Sequence, residues 1–120
     1  MEFKRADRVA EEIRAELADI VLRKLKDPRV GFVTFTRVEL TDDLRHAKVF
    51  FSLLGDEAAK KESLKGLRSA THFIRGEIGR RLKLRCTPEI AFIIDESMER
   101  GARMLDILRH LDDPKTEEEE

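Results

Sequence analysis

His46-Ala47-Lys48-Val49-Phe50-Phe51-Ser52-Leu53 alternates between apolar and polar positions. Ala47, Val49, Phe51 and Leu53 fall on one side, while His46, Lys48 and Ser52 fall on the other. Successive strand side chains point to opposite faces, so this stretch reads as a strand in a sheet with one buried face. The preceding residues 32–40 are rich in β-branched and aromatic side chains: Phe32, Val33, Thr34, Phe35, Thr36 and Val38. Only the polar residues 41–45 separate the two segments, which implies an antiparallel hairpin. Further on, Ile90, Phe92 and Ile94 alternate with Glu89, Ala91 and Ile93, giving a third strand.

Around these strands the apolar period becomes helical. Val9, Ile13, Leu17, Val21 and Leu25 recur every fourth residue, with Ile20 and Leu22 widening the stripe and Asp7 placed to cap its start. Asp27-Pro28 stops this helix, because the residue before a proline is pushed out of the α region. Residues 57–84 carry a second stripe of Leu64, Leu67, Ala70, Ile74, Ile78 and Leu82. That is long for one helix in a small domain, so a bend or break inside it is expected, with Thr87-Pro88 ending the run. Ser97 is placed to cap a last helix whose apolar side includes Met98, Ala102, Leu105, Leu108 and Leu111. The order is α-β-β-α-(α)-β-α: an α+β architecture with helices on one face of a three-stranded sheet.

The 120 residues suffice for one core. One domain is expected over residues 1–111, followed by a disordered acidic tail over 112–120, where six acids face a single lysine. No apolar run reaches the roughly 20 residues needed to cross a bilayer. No apolar segment follows the basic N-terminus, so a secretory signal is not expected. The single Cys86 fits a reducing compartment, and a cytoplasmic location follows.

The net charge is −1, yet the charge is unevenly placed. Residues 60–85 hold nine cations (Lys60, Lys61, Lys65, Arg68, Arg75, Arg80, Arg81, Lys83 and Arg85) against Glu62 and Glu77, an excess of seven. Lys4, Arg5 and Arg8 form a second basic group. Solvated helix faces usually mix both signs, whereas clustered lysine and arginine is the electrostatic footprint of phosphate binding. The chain has no Trp or Tyr, and only Phe73 interrupts the basic run. A solvated helix face is the alternative reading; with nucleic acid as the ligand, contacts to phosphates and shape are expected, with little base stacking.

Gly76-Glu77-Ile78-Gly79 matches the G-x-x-G loop with which K-homology domains clamp a nucleic-acid backbone. Ile74, Ile78 and Leu82 continue one helical face straight through it, which favours two glycines inside a helix. Each would cost about 1 kcal/mol relative to alanine, so a packing reason is expected.

Four stretches in order carry a resemblance. Asp27-Pro28-Arg29 with Gly31-Phe32-Val33-Thr34-Phe35-Thr36-Arg37-Val38-Glu39 resembles the first-strand region of the ribosome-binding factor A family. Asp43-Leu44-Arg45-His46-Ala47-Lys48-Val49-Phe50-Phe51-Ser52-Leu53-Leu54-Gly55 is similar to its second strand and exit. Phe73-Ile74-Arg75, Gly79 and Leu82-Lys83-Leu84-Arg85 lead into Pro88-Glu89-Ile90-Ala91-Phe92-Ile93-Ile94-Asp95-Glu96-Ser97, which resembles its most specific stretch. The resemblance covers about residues 3–111. It implies a type II K-homology-like fold, α-β-β-α-kink-α-β, here with a C-terminal helix. The family has an Ala-x-Gly kink between its central helices; the matching positions are Ala70, Thr71 and His72, where histidine replaces glycine. Ser69 and Thr71 could assist the bend by hydrogen bonding to the preceding turn.

The resemblance also implies a non-catalytic assembly factor. Its partners would be the free small (30S) ribosomal subunit and its 16S rRNA, together with other assembly factors. It would act in late maturation and rRNA end processing, and in cold adaptation, without cofactor; the oligomeric state is open, with a monomer as the default expectation. The RNA-binding residues expected are Lys4, Arg5, Arg8, Arg75, Arg80, Arg81, Lys83 and Arg85. Replacing Arg80 and Arg81 is expected to weaken RNA binding without unfolding the domain. A competing reading is a protein-interaction module of the same fold, using its last helix and making no direct RNA contact.

Enzyme readings have little support. His46, His72 and His110 show no metal-ligand spacing with Cys86, and no nucleophile elbow, Walker A or dinucleotide fingerprint is present. Neither a catalytic residue nor a metal ligand is assigned. Cys86 is expected to be a half-buried structural thiol, and Asp95-Glu96 to be acids favoured at a helix N-terminus.

Overall fold

The computed structural model describes residues 4–111; the expected acidic tail, 112–120, lies outside them. The elements run α1 (Arg5–Arg23), β1 (Val33–Leu40), β2 (His46–Leu53), α2 (Glu57–Ser69), α3 (Thr71–Leu82), β3 (Glu89–Ile94) and α4 (Ser97–Leu111). The sheet order is β1-β2-β3, with β1 antiparallel and β3 parallel to the central β2.

The alternation in β2 is realised: Ala47, Val49, Phe51 and Leu53 are buried. In β1 the apolar residues change parity, Val33 and Phe35 being odd and Val38 and Leu40 even. An irregularity between Phe35 and Arg37 reconciles them, so Phe35 sits opposite Phe51 and Val38 opposite Val49. One extra residue at a β-bulge returns the apolar side chains to the core face. Phe32, expected in the strand, precedes it and is 93% exposed.

Against this face lie α1, α2 and α3. The core joins Ile13, Leu17 and Ile20 of α1 to Leu67 of α2, Ile74 and Ile78 of α3, and Phe35, Val49, Phe51 and Phe92 of the sheet. Each large side chain fully withdrawn from water contributes about 1.5–3 kcal/mol. In α1 the buried stripe is Ala6, Ala10, Ile13, Leu17 and Ile20, and Leu22 is exposed. Its N-cap is Lys4, not Asp7. Asp7 instead accepts the Lys4 backbone N–H at 3.3 Å from the third helical position.

The expected break falls at Ala70, whose backbone (φ −91°, ψ 3°) leaves the helical region. Its N–H reaches both Gly66 O and Leu67 O, and the Thr71 hydroxyl donates to Leu67 O at 3.2 Å. Tightening of the last turn and back-bonding thus bend the chain without glycine at position 72, where His72 is exposed. Helix α3 ends at Leu82, five residues before Thr87-Pro88, because Lys83 turns left-handed (φ 53°) and closes on Gly79 O. The element order and sheet give a type II K-homology-like fold.

Gly76 and Gly79 both lie inside α3, so the G-x-x-G match is not a loop. A β-carbon at Gly79 would stand 2.6 Å from the Thr87 hydroxyl oxygen, whereas at Gly76 it would meet nothing within 4 Å. Of these two, Gly79 alone has a packing reason. Gly66 of α2 has one too: a β-carbon there would meet Val30 Cγ2 at 2.6 Å.

Helix α4 departs from expectation. Its start is held by Asp95, which accepts the Ser97 backbone N–H at 2.9 Å; Ser97 is the first helical residue, not the cap. Ala102, Leu105, Leu108 and Leu111, expected to pack inward, are exposed, so the helices on the sheet face are α1–α3 alone.

Candidate nucleic-acid interface

The basic stretch divides once its partners are placed. Arg75 lies on α3 with its guanidinium turned to the start of β3. Its Nε donates to Pro88 O and its Nη2 to Thr87 O, both at 2.9 Å, with Glu89 3.6 Å away. Arg81, on the same helix, faces α1. Its Nη1 donates to Asp19 Oδ2 at 2.6 Å and Glu16 Oε2 at 2.9 Å, and Glu77 Oε2 is 3.4 Å from Nε. These carboxylates hold the Arg81 guanidinium well above its usual range, and Arg81 in turn holds Asp19 below the usual carboxylate range. With side chains 29% and 22% exposed, Arg75 and Arg81 join α3 to β3 and to α1.

Lys60 is likewise directed inward. It is 4% exposed, and its Nζ donates to both carboxylate oxygens of Glu99 at 2.8 and 2.9 Å, tying α4 to α2. That pairing raises its pKa above the ordinary lysine value. The excess of seven charges is thus partly balanced by acids distant in sequence, namely Glu16, Asp19, Glu89 and Glu99.

Other cations stay on the surface. Arg80 is exposed, with Glu77 its partner. Lys83 and Arg85, beyond the end of α3, are exposed and make no ion pair among the described residues. The same holds for Arg5 and Arg8 in the first two turns of α1. Lys4 lies 3.6 Å from Asp42 in the β1–β2 turn, and Glu89 N donates to Arg45 O at 2.8 Å. The start of α1, the hairpin turn and the entry to β3 therefore lie at one end of the sheet. The segment carrying Lys83 and Arg85 leads into that end.

A further group was not among the expected site residues. Lys61, Lys65 and Arg68 are exposed at spacings of four and three on α2, so they share one helix face. Glu62 pairs with Lys65 at 3.5 Å, and Lys61 and Arg68 have no ion pair among the described residues. Their spacing was readable in the sequence.

Aromatic stacking is limited. On the open sheet face the Arg37 guanidinium covers the Phe50 ring, 4.0 Å from its centroid. Cys86 is exposed, correcting the half-buried thiol expected from its neighbours. Among the described residues no group of His, Cys, Asp or Glu is arranged to hold a metal, and no helix is long and apolar enough to cross a membrane.

A sequence model of the family Ribosome-binding factor A matches residues 5–108. The chain is 54% identical over 111 residues to Ribosome-binding factor A of Trichlorobacter lovleyi, covering 92% of this chain and 90% of that protein. It is 50% identical over 119 residues to that of Halothermothrix orenii, covering 99% and 95%. The solution structure of a Thermotoga maritima protein described as a ribosome binding factor A shares 41% identity at TM-score 0.63, covering 72% of this chain and 82% of that one. The Thermus thermophilus homology model fitted into a cryo-electron-microscopy map of a 30S complex has the same fold, at TM-score 0.65 and 22% identity, covering 76% and 96%. By sequence along almost its whole length, and by fold, this chain belongs to the ribosome-binding factor A family.

Proposed function

We propose that this protein is a non-catalytic assembly factor that binds the free 30S subunit by contacting 16S rRNA phosphates. It acts in the cytoplasm during late subunit maturation, including processing of the rRNA ends, and supports growth in the cold. A single copy of the domain makes the contact, alongside other assembly factors. Family membership supports the subunit as partner, as does the Thermus relative placed in a 30S complex.

The observation that carries the RNA reading is the set of exposed cations left after internal pairing. Lys83 and Arg85, with Arg5 and Arg8, form the proposed principal contact, and Lys4 and Arg80, exposed but each beside one surface acid, add to it. Arg75 and Arg81 support it indirectly by fixing α3. Lys61, Lys65 and Arg68 extend the surface along α2. Such a surface reads backbone charge and shape, and its affinity falls steeply with salt.

Sedimentation with separated small subunits, large subunits and intact ribosomes at two salt concentrations tests this reading. Selective, salt-sensitive association with free small subunits is expected. Binding that survives salt and depends on Leu105 or Leu108 would favour the protein-interaction reading, and absence from every fraction would overturn subunit binding.

A further inference from the structure

Two positions on the outer side of α3 run against the stability of the fold. Gly76 lies in the middle of the helix, where glycine is the least favourable residue apart from proline. Gly79, one turn on, is required by the approach of Thr87, but a β-carbon at Gly76 would meet nothing within 4 Å. Lys83 shows the reverse misfit. It takes the left-handed conformation (φ 53°) that ends the helix, where glycine is the usual residue. Its side chain is exposed and makes no ion pair among the described residues, so the fold gains nothing from it. A side chain is thus missing where the fold favours one and present where the fold favours none. Departures from local preference of this kind gather at functional sites.

Both positions open onto one surface. Phe73, Gly76 and Arg80 follow at spacings of three and four, so they share a helix face, and Lys83 comes three residues later, just past the helix end. Phe73 is 42% exposed and the Arg80 side chain 71%. The acid on this side, Glu77, is 13% exposed and lies against Arg80 and Arg81. What reaches solvent is a ring, a bare stretch of backbone and two cations.

We propose that a sugar–phosphate strand of the rRNA runs along this stripe and touches the α3 backbone at Gly76. The inference rests on the RNA-binding reading above and adds to it the mode of contact and the residues that set it. Glycine lets a ligand approach a backbone that a β-carbon would hold away. Arg80 and Lys83 then meet phosphates, while Phe73 offers a sugar or base an apolar surface about 10 Å from Arg80, at 1.5 Å of helix per residue. Charge selects nucleic acid, because two exposed cations beside one covered acid attract phosphates. Gly76 acts here from within a helix, and Gly79, which accommodates Thr87, takes no part.

The test pairs thermal melting with sedimentation of the full chain on free small subunits at several salt concentrations. Gly76→Ala and Lys83→Gly should each raise the melting temperature by about 2–6 °C. Each should also weaken subunit binding at least about threefold. Their salt dependence should differ. Gly76→Ala obstructs without removing charge, so its log-log slope should match the parent's, whereas Lys83→Gly should lose roughly 0.7–0.9. Gly76→Gln, a longer side chain at the same open position, should remain folded and bind more weakly than Gly76→Ala. Stabilised variants that bind as the parent does would overturn the proposal and leave subunit binding intact. A fall in melting temperature for Gly76→Ala would also overturn it, by giving Gly76 a role inside the fold. Weakened binding by Gly76→Ala in a parent whose affinity ignores salt would make a ribosomal protein the neighbour of α3 and exclude the RNA contact. A parent absent from every fraction would overturn the RNA-binding reading itself, and this inference with it.

Discussion

The inner and outer sides of α3 use similar residues to opposite ends. Inward, Ile74 and Ile78 enter the core, Gly79 lets Thr87 approach, and Arg75 and Arg81 spend their charge on β3 and α1. Outward, Gly76 faces open space and Arg80 is solvated, while Lys83 and Arg85 follow at the helix end. An arginine in a basic run is therefore not a ligand contact until its acidic partners have been sought elsewhere in the chain. Counted by sequence the run is one patch; in three dimensions it is a brace and a surface.

The largest effect on stability is expected from Arg81→Ala, which leaves Glu16, Asp19 and Glu77 facing one another without their shared cation. Thermal melting should fall more than for any variant below. The salt dependence of subunit binding, measured on the folded protein, should stay the same. That outcome would separate Arg81 from Arg80, whose joint replacement was expected to weaken RNA binding without unfolding the domain; a reduced salt slope for Arg81→Ala would blur the division. Gly79→Ala follows, with a net loss of about 1 kcal/mol, because overpacking against Thr87 outweighs the gain in helix propensity. Thr87→Ala in the same chain should recover most of that loss in denaturant titrations.

Asp95→Asn is expected to cost about 1 kcal/mol at neutral pH, the scale of a helix-start hydrogen bond. Bonds from the Ser97 side chain, the Thr36 hydroxyl (2.6 Å) and the Ser97 backbone N–H push the Asp95 carboxyl down to about 2. A depressed carboxylate stabilises the fold above its unfolded pKa, about 3.9, and that stability is lost as pH falls through the folded value. The gap between variant and parent should thus close between pH about 4 and about 2; a constant gap would place the effect elsewhere. Gly76→Ala has the smallest expected effect and the opposite sign, a gain of about 0.5–1 kcal/mol from helix propensity alone. A loss there would mean that α3's outer side is packed after all.

Much of this fold was legible because it rests on local periodicity. The β2 alternation, the hairpin, the helical run and its break, and the helical placement of Gly76 and Gly79 all follow from spacing. The bulge in β1 was missed, although the parity change from Phe35 to Val38 encodes it. The exposure of α4 was not legible, since an amphipathic stripe records a preference for burial without naming what buries it. For the proposed interface, the sequence located the cations but not their partners. Glu16 and Asp19 are more than sixty residues from Arg81, and Glu99 is 39 residues from Lys60.

The salt dependence of binding to free small subunits, compared between the parent chain and Lys83→Ala with Arg85→Ala, tests the central division most directly. The account predicts a log-log slope shallower by about 1.4–1.8, as for two lost phosphate contacts at roughly 0.7–0.9 each, with unchanged thermal melting. An unchanged slope would place the RNA contact elsewhere on the molecule and contradict the assignment.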